Sequence, residues 1–140
     1  MPGSWELRAS PDVCIPSACD DRYVRPTVVL VDDHSGFRSR ARALLEAEGF
    51  EVVAEAENGM SALAVVARLH PHIVLLDIQL PDIDGFEVAE RLAQAGDSPA
   101  VVLISTRDVS SYRRRLARSP VCGFVSKSEL SGSAICALVP

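Results

Sequence analysis

Residues Val28–Arg38 read VVLVDDHSGFR. Four apolar residues, three of them valine, run directly into two adjacent carboxylates, and from Ser35 the pattern turns helical. A short, continuous apolar run of β-branched residues bounded by polar ones is a strand buried on both faces. The following SGFRSRARALLEAEG puts Phe37, Ala41, Leu44 and Leu45 on one helical face, with Gly49 as its stop. The unit is therefore strand followed by helix. It ends its strand on Asp32 and Asp33, two like charges that repel wherever water is scarce, so a positive group is expected between them.

The same unit recurs along the chain. FEVVAEAE reads as the second strand, NG as a turn, and MSALAVVARLH as a helix ended by Pro71. HIVLLDI, the loop QLPDIDG and the helix FEVAERLAQAG follow; then the strand AVVLIST with the helix RDVSSYRRRLARS; then the strand VCGFVS with a last helix from about Glu129. Near-continuous apolar strands joined through helices are parallel and covered on both faces. The expected architecture is a three-layer, doubly wound α/β sandwich of five βα units, with its chemistry at the carboxyl ends of the strands.

Composition narrows the function classes. A chain of 140 residues with 48% apolar content supports one domain with a real core. No segment approaches the roughly 20 apolar residues that cross a bilayer, and the first residues lack the basic-then-apolar order of a secretory signal. The expectation is a cytoplasmic protein without membrane contact. Cys14, Cys19, Cys122 and Cys136 have no framework spacing and read as free thiols; Cys14 and Cys19 lack the second ligand pair that zinc requires. A net charge of −5 opposes binding to nucleic acid over a broad surface, and Arg113, Arg114, Arg115 and Arg118 read as a solvated helix face. No direct nucleic acid binding by this chain is expected. Residues 1–26, with four prolines and no periodicity, read as an extension, and 27–140 as the domain, leaving no room for an output domain.

The strand ends carry Asp32 and Asp33, then Asp77, then Ser105 and Thr106, then Lys127. Three carboxylates offer the hard oxygens that suit Mg2+, which answers the repulsion at Asp32–Asp33. A phosphoryl group at that rim would need an acceptor, a counter-charge and a donor, roles open to a carboxylate, Lys127 and Ser105. No Gly-rich phosphate loop is present, so a nucleotide is not expected. DIDG, Asp82–Gly85, lacks the later ligands of a calcium loop and reads as a turn into a helix N-cap. His34 reads as a loop or helix-start residue.

LVDDH, VLLDIQLPDIDGFEV, VVLIST and GFVSK together resemble the receiver domain of two-component response regulators, over Thr27 to about Val139. The resemblance implies a flavodoxin-like (βα)5 sandwich with sheet order 2-1-3-4-5. It makes Asp77 the phosphoacceptor, Asp33 a direct Mg2+ ligand with Asp77, Asp32 a ligand through water, and the Gln79 backbone carbonyl a further ligand. Ser105 and Lys127 would serve the phosphoryl group, Ser105 and Phe124 the switch, and Gln79, Thr106 and Arg107 the rates. The implied partners are a sensor histidine kinase and a second copy on phosphorylation. DDHSGFR is similar to the NarL/FixJ-type subgroup, whose members carry a LuxR-type helix-turn-helix after the receiver.

Two positions depart from the family pattern. Thr106 stands where Ala or Gly is usual and is expected to narrow the path to Asp77. Ser128 follows Lys127 where a cis-proline is common, which puts that loop's geometry in question. They motivate the rival of a receiver that no longer switches by phosphate and acts as a protein-binding module. A hydrolase with an aspartyl-phosphate intermediate would need a second Asp where Gln79 stands, so turnover is not expected.

Overall fold

The computed structural model describes residues 25–96 and 99–140. Its strands are β1 (Thr27–Val31), β2 (Glu51–Ala56), β3 (Ile73–Asp77), β4 (Ala100–Ser105) and β5 (Gly123–Ser126). They form one parallel sheet in the order β2-β1-β3-β4-β5, as the doubly wound reading requires. The helices are α1 (Ser35–Ala47), α2 (Gly59–Leu69), α3 (Gly85–Gln94), α4 (Arg113–Ala117) and α5 (Gly132–Cys136).

Strand alternation divides the core into two layers. Val29, Val31, Val74, Leu76, Val101 and Leu103 face one side, where Ala62 and Val66 of α2 and Phe86, Val88, Ala89 and Leu92 of α3 cover them. Their neighbours Val28, Leu30, Leu75, Val102 and Ile104 face the other side, under Ala41 and Leu45 of α1 and Ile135 of α5. All five residues of β3 are buried, which is why its sequence shows no polar alternation.

Helix ends follow local chemistry. Asn58, read from the sequence as part of a turn, is the N-cap of α2: its side chain accepts from the Ser61 amide at 2.8 Å. Asp82 caps the same helix from another loop, accepting from the Gly59 and Met60 amides at 2.8 and 2.9 Å. Asp84 caps α3 through the Glu87 amide at 2.9 Å, so DIDG is a capping turn as expected.

Two elements differ from the sequence expectation. The helix expected over 107–119 is a 3-10 turn, Val109–Tyr112, followed by the five residues of α4. Asp108 caps the 3-10 turn, and Arg114 and Arg118 would stand as like charges one turn apart, so little favours a longer helix. The last helix begins later than Glu129: Lys127–Glu129 is a 3-10 turn, and Ser131 caps α5 through the Ala134 amide at 3.0 Å. No cis peptide bond occurs among the described residues, the bond after Lys127 included. The Pro26 carbonyl accepts from the Glu51 amide at 2.9 Å, so ordered pairing begins one residue before Thr27. Cys14, Cys19 and most of the expected extension lie outside the described residues.

Candidate functional site

Sheet register brings the acidic residues together. Val31 pairs with Leu76, so Asp32 and Asp77 leave the sheet side by side. The Asp32 amide donates to the Ala56 carbonyl at 3.0 Å, and Asp77 is still within β3, paired with Ile104. Gly85 permits the close approach of α3 behind Asp77: a Cβ there would lie 2.6 Å from the Asp77 carbonyl oxygen. The Gly85 amide donates to Ile78 O at 2.8 Å, and the Gln79 amide donates to Asp77 Oδ1 at 3.2 Å, fixing the carboxylate's orientation.

Lys127, entering from the end of β5, places a positive group between Asp32 and Asp77, whereas the sequence led one to expect it between Asp32 and Asp33. Its Nζ lies 2.5 Å from Asp32 Oδ2 and 3.3 Å from Asp77 Oδ2, and 4.7 Å from the Phe37 ring centroid. Asp32 is 1% exposed, and its Oδ2 has no aligned hydrogen-bond donor among the described residues; the ammonium holds it by charge alone. Burial pushes the Asp77 carboxyl above its ordinary range; Lys127 opposes this and the Asp32 charge reinforces it. One ammonium thus faces two buried carboxylates, with Asp33 half-exposed at the rim.

That excess of buried negative charge fits a second cation. Oxygen atoms of Asp32, Asp33 and Asp77 and a ring nitrogen of His34 all lie within 4.8 Å of one another. The donor set of three carboxylates matches a hard divalent ion such as Mg2+, and the under-satisfied Asp32 Oδ2 is the atom that gains most from one. His34 stands at the N-cap of α1, as its sequence position led one to expect. Its Nδ1 also reaches Asp33 Oδ1 at 3.1 Å and Asp32 Oδ1 at 3.3 Å, contacts with no sequence signal beyond adjacency.

The residues expected to switch stand apart from this cluster. Ser105 is fully buried, and its Oγ accepts from the Arg107 amide at 3.0 Å; among the described residues it makes no hydrogen bond to Asp77. Arg107 Nε and Nη2 lie 3.1 and 3.2 Å from the Gln79 side-chain amide, where hydrogen bonding assigns the amide oxygen to the guanidinium side. Thr106 is exposed on the ridge between the groove holding Asp77 and a second depression beside Phe124. Phe124 is half-buried, its ring 6.1 Å from Tyr112, which lies 6.0 Å from Phe86. The Tyr112 hydroxyl is buried without a hydrogen-bond partner among the described residues. Arg115 fastens α4 to α3 by an ion pair with Asp84 at 2.7 Å and by lying 4.2 Å over the Phe86 ring.

Residues 28–138 match the response regulator receiver domain family. The virulence-factor transcription regulator BvgA of Bordetella pertussis is 39% identical over 102 residues, which cover 73% of this chain and 49% of BvgA. The DNA-binding transcriptional activator EvgA of Escherichia coli is 32% identical over 110 residues, 79% of this chain and 54% of EvgA. The chain spans about half the length of the curated relatives it matches. Among solved structures, the signal receiver domain of NarL from Mycobacterium tuberculosis aligns with a TM-score of 0.73 at 31% identity, covering 81% of this chain and 92% of that one. A LuxR-family two-component response regulator from Aurantimonas sp. aligns with a TM-score of 0.72 at 27% identity, covering 81% and 86%. Among the described residues, no helix is long and apolar enough to cross a membrane.

Proposed function

This chain belongs to the response regulator receiver domain family, of the NarL/LuxR class, and on that premise we propose that Asp77 accepts a phosphoryl group from the phosphohistidine of a sensor kinase. An Asp77 carboxylate oxygen forms the new O–P bond as the P–N bond breaks, and the imidazole leaves with a proton from solvent. The observation that carries this is the placement of Asp77: buried, oriented by the Gln79 amide, and in contact with Lys127, which is placed to follow the transferred charge. Asp33, Asp77 and the Gln79 backbone carbonyl would hold Mg2+ directly and Asp32 through water; when bound, the ion offsets the charge of the phosphoryl oxygens. Phe37, Ala41, Leu44 and Leu130 form the apolar part of the groove that leads from Asp77 along α1, and this is the face on which the phosphohistidine-bearing partner would approach.

The acyl phosphate adds about −1.5 to −2 charge beside Lys127. The Ser105 hydroxyl then exchanges the Arg107 amide for a phosphoryl oxygen, the β4–α4 loop moves inward, and Phe124 turns with it. The changed α4-β5-α5 surface drives self-association or a partner contact, and transcription is controlled through an output domain or partner. The protein is a self-modifying switch rather than a turnover enzyme. Incubation with acetyl phosphate and Mg2+ adds one acid-labile phosphoryl group per chain, and Asp77→Asn abolishes it. Equal labelling of that variant overturns the assignment; no labelling by either a small phosphodonor or a kinase favours a phosphate-independent binding module.

A further inference from the structure

Arg38 is one helical turn inside α1, and its amide donates to the His34 carbonyl at 3.1 Å. Side chains on a helix lean toward its N-terminus, and the guanidinium accordingly turns back to the loop that carries the acidic pair. Its Nη1 donates to the backbone carbonyl of Asp32, and its Nε donates to Glu55 Oε1 at 2.8 Å. The second oxygen of Glu55 is held by Arg42 Nη1 at 2.5 Å, and Arg42 Nη2 reaches the Val52 carbonyl at 2.9 Å. Burial works against the Glu55 carboxylate, but its two arginine partners outweigh this and keep it ionised. Arg38 is only 16% exposed, so its guanidinium is locked between β2 and the β1–α1 loop.

We propose that Arg38 is a positioning residue for the cation site, fixing through the Asp32 carbonyl the direction in which the Asp33 carboxylate projects. The Asp32 oxygen and the Asp33 amide belong to one planar peptide unit, so pinning the oxygen sets the plane from which Asp33 departs. Asp33 needs this. Its side chain is 37% exposed and meets only the His34 ring among the ion-pair contacts described, so no packing of its own orients it. Asp32 has its amide, carboxylate and carbonyl each fixed by a different element, and Arg38 is the side chain that fixes the carbonyl. The role suits a forked guanidinium: its planar donors serve Asp32 and Glu55 at once in a fixed geometry, which the single, freely rotating ammonium of a lysine holds less rigidly.

This rests on the receiver reading, and the test separates the two. Mg2+ binding to the full chain is measured by calorimetry for the wild type, Arg38→Ala, Arg38→Lys and Arg42→Ala, with each variant's thermal transition recorded. Arg38→Ala weakens Mg2+ on the order of tenfold, as loss of a group that orients a ligand does. Its labelling rate by acetyl phosphate falls at low Mg2+ and recovers as Mg2+ is raised, because Asp77 and Lys127 are untouched. Arg38→Lys falls between. Arg42→Ala lowers the thermal transition by releasing Glu55 but leaves Mg2+ affinity unchanged. Wild-type affinity in Arg38→Ala, or equal weakening in Arg42→Ala, overturns the proposal while leaving the receiver reading intact. If Arg38→Ala does not fold, wild-type affinity in Arg38→Lys overturns it. A wild-type chain that binds no Mg2+ overturns both.

Discussion

On the β1–β3 side of the site, Asp32 is fixed at its amide by Ala56, at its carbonyl by Arg38, and at its carboxylate by the His34 amide and Lys127. On the β4–β5 side, Ser105 is tied to its own loop, Phe124 is half-buried, and α4 has no buried residue. Both sides stand at the carboxyl edge of one sheet, yet only on the first is a site residue, Asp32, held at its amide, carbonyl and carboxylate by different elements. The difference separates two demands: phosphoryl chemistry needs ligands fixed to fractions of an ångström, whereas a switch needs an element whose alternative position costs little. Each side carries a buried oxygen without a hydrogen-bond partner among the described residues, Asp32 Oδ2 on the first and the Tyr112 hydroxyl on the second, and only the first has a cation beside it.

Truncating the core on each side breaks or sharpens this contrast most directly. Leu75, fully buried in β3, is expected to cost about 3 kcal/mol on replacement by Ala, within the range of cavity-forming substitutions. Leu116 of α4, half-buried at the margin of the core, is expected to cost ~1 kcal/mol. Urea unfolding of Leu75→Ala and Leu116→Ala measures both. Equal costs would mean that α4 is as firmly built as the central strand.

The next effect concerns charge. Burial raises the Asp77 carboxyl, so the folded chain holds that proton more tightly than the unfolded chain. Stability from this group is therefore complete below the ordinary aspartate range and is lost as pH rises through the raised folded value. Asp77→Asn removes the loss and, without Mg2+, is expected to stabilise the chain by ~1 kcal/mol at neutral pH. The gain disappears as pH falls toward the ordinary aspartate range, where folded wild-type Asp77 is already neutral and its unfolded counterpart becomes so. Thermal unfolding against pH checks this; a gain independent of pH would trace to packing of the amide and not to charge.

The sequence made the first side legible and the second only in part. Strand β3 announces itself because five consecutive positions are buried, and the acidic ligands because they stand at successive strand ends. Arg38 and Glu55 were not singled out: they are 17 residues apart, and nothing in a helical or strand period links them. Glu48, which accepts from the Gly132 amide across 84 residues, is hidden for the same reason. The segment 107–119 departs from a single helix because Asp108 caps a 3-10 turn first and Arg114 and Arg118 would meet as like charges one turn apart.

Access to Asp77 tests whether the second side governs rate as well as switching. Thr106 lies on the ridge bordering the groove, and its branched side chain is expected to slow entry of the phosphodonor. Thr106→Ala should raise the labelling rate by acetyl phosphate roughly fivefold, about 1 kcal/mol of barrier. An unchanged rate would mean that the exposed methyl and hydroxyl stand clear of the path.

The smallest effect is expected at Arg107, which the family resemblance places among the residues that set the rates. In the unphosphorylated chain its guanidinium lies against the Gln79 side-chain amide. The bridge spans the loops after β3 and β4, directly beside the carboxylate that the Gln79 amide orients. It therefore engages the one neutral side chain placed to align a water for attack on the phosphorus. Once Asp77 is phosphorylated, the guanidinium can exchange a neutral amide for charged phosphoryl oxygens, a stronger bond that also covers the in-line approach. Removing Arg107 uncovers the phosphorus and frees Gln79 at the same time, and both effects favour hydrolysis. Arg107→Ala should shorten the phosphoryl lifetime roughly threefold without preventing labelling. The double variant with Gln79→Ala separates the contributions, because a lifetime restored toward the wild type assigns the loss to the freed amide, and one that stays short assigns it to lost shielding. A single variant whose lifetime is unchanged or longer would show that the Gln79–Arg107 bridge has no part in timing the signal.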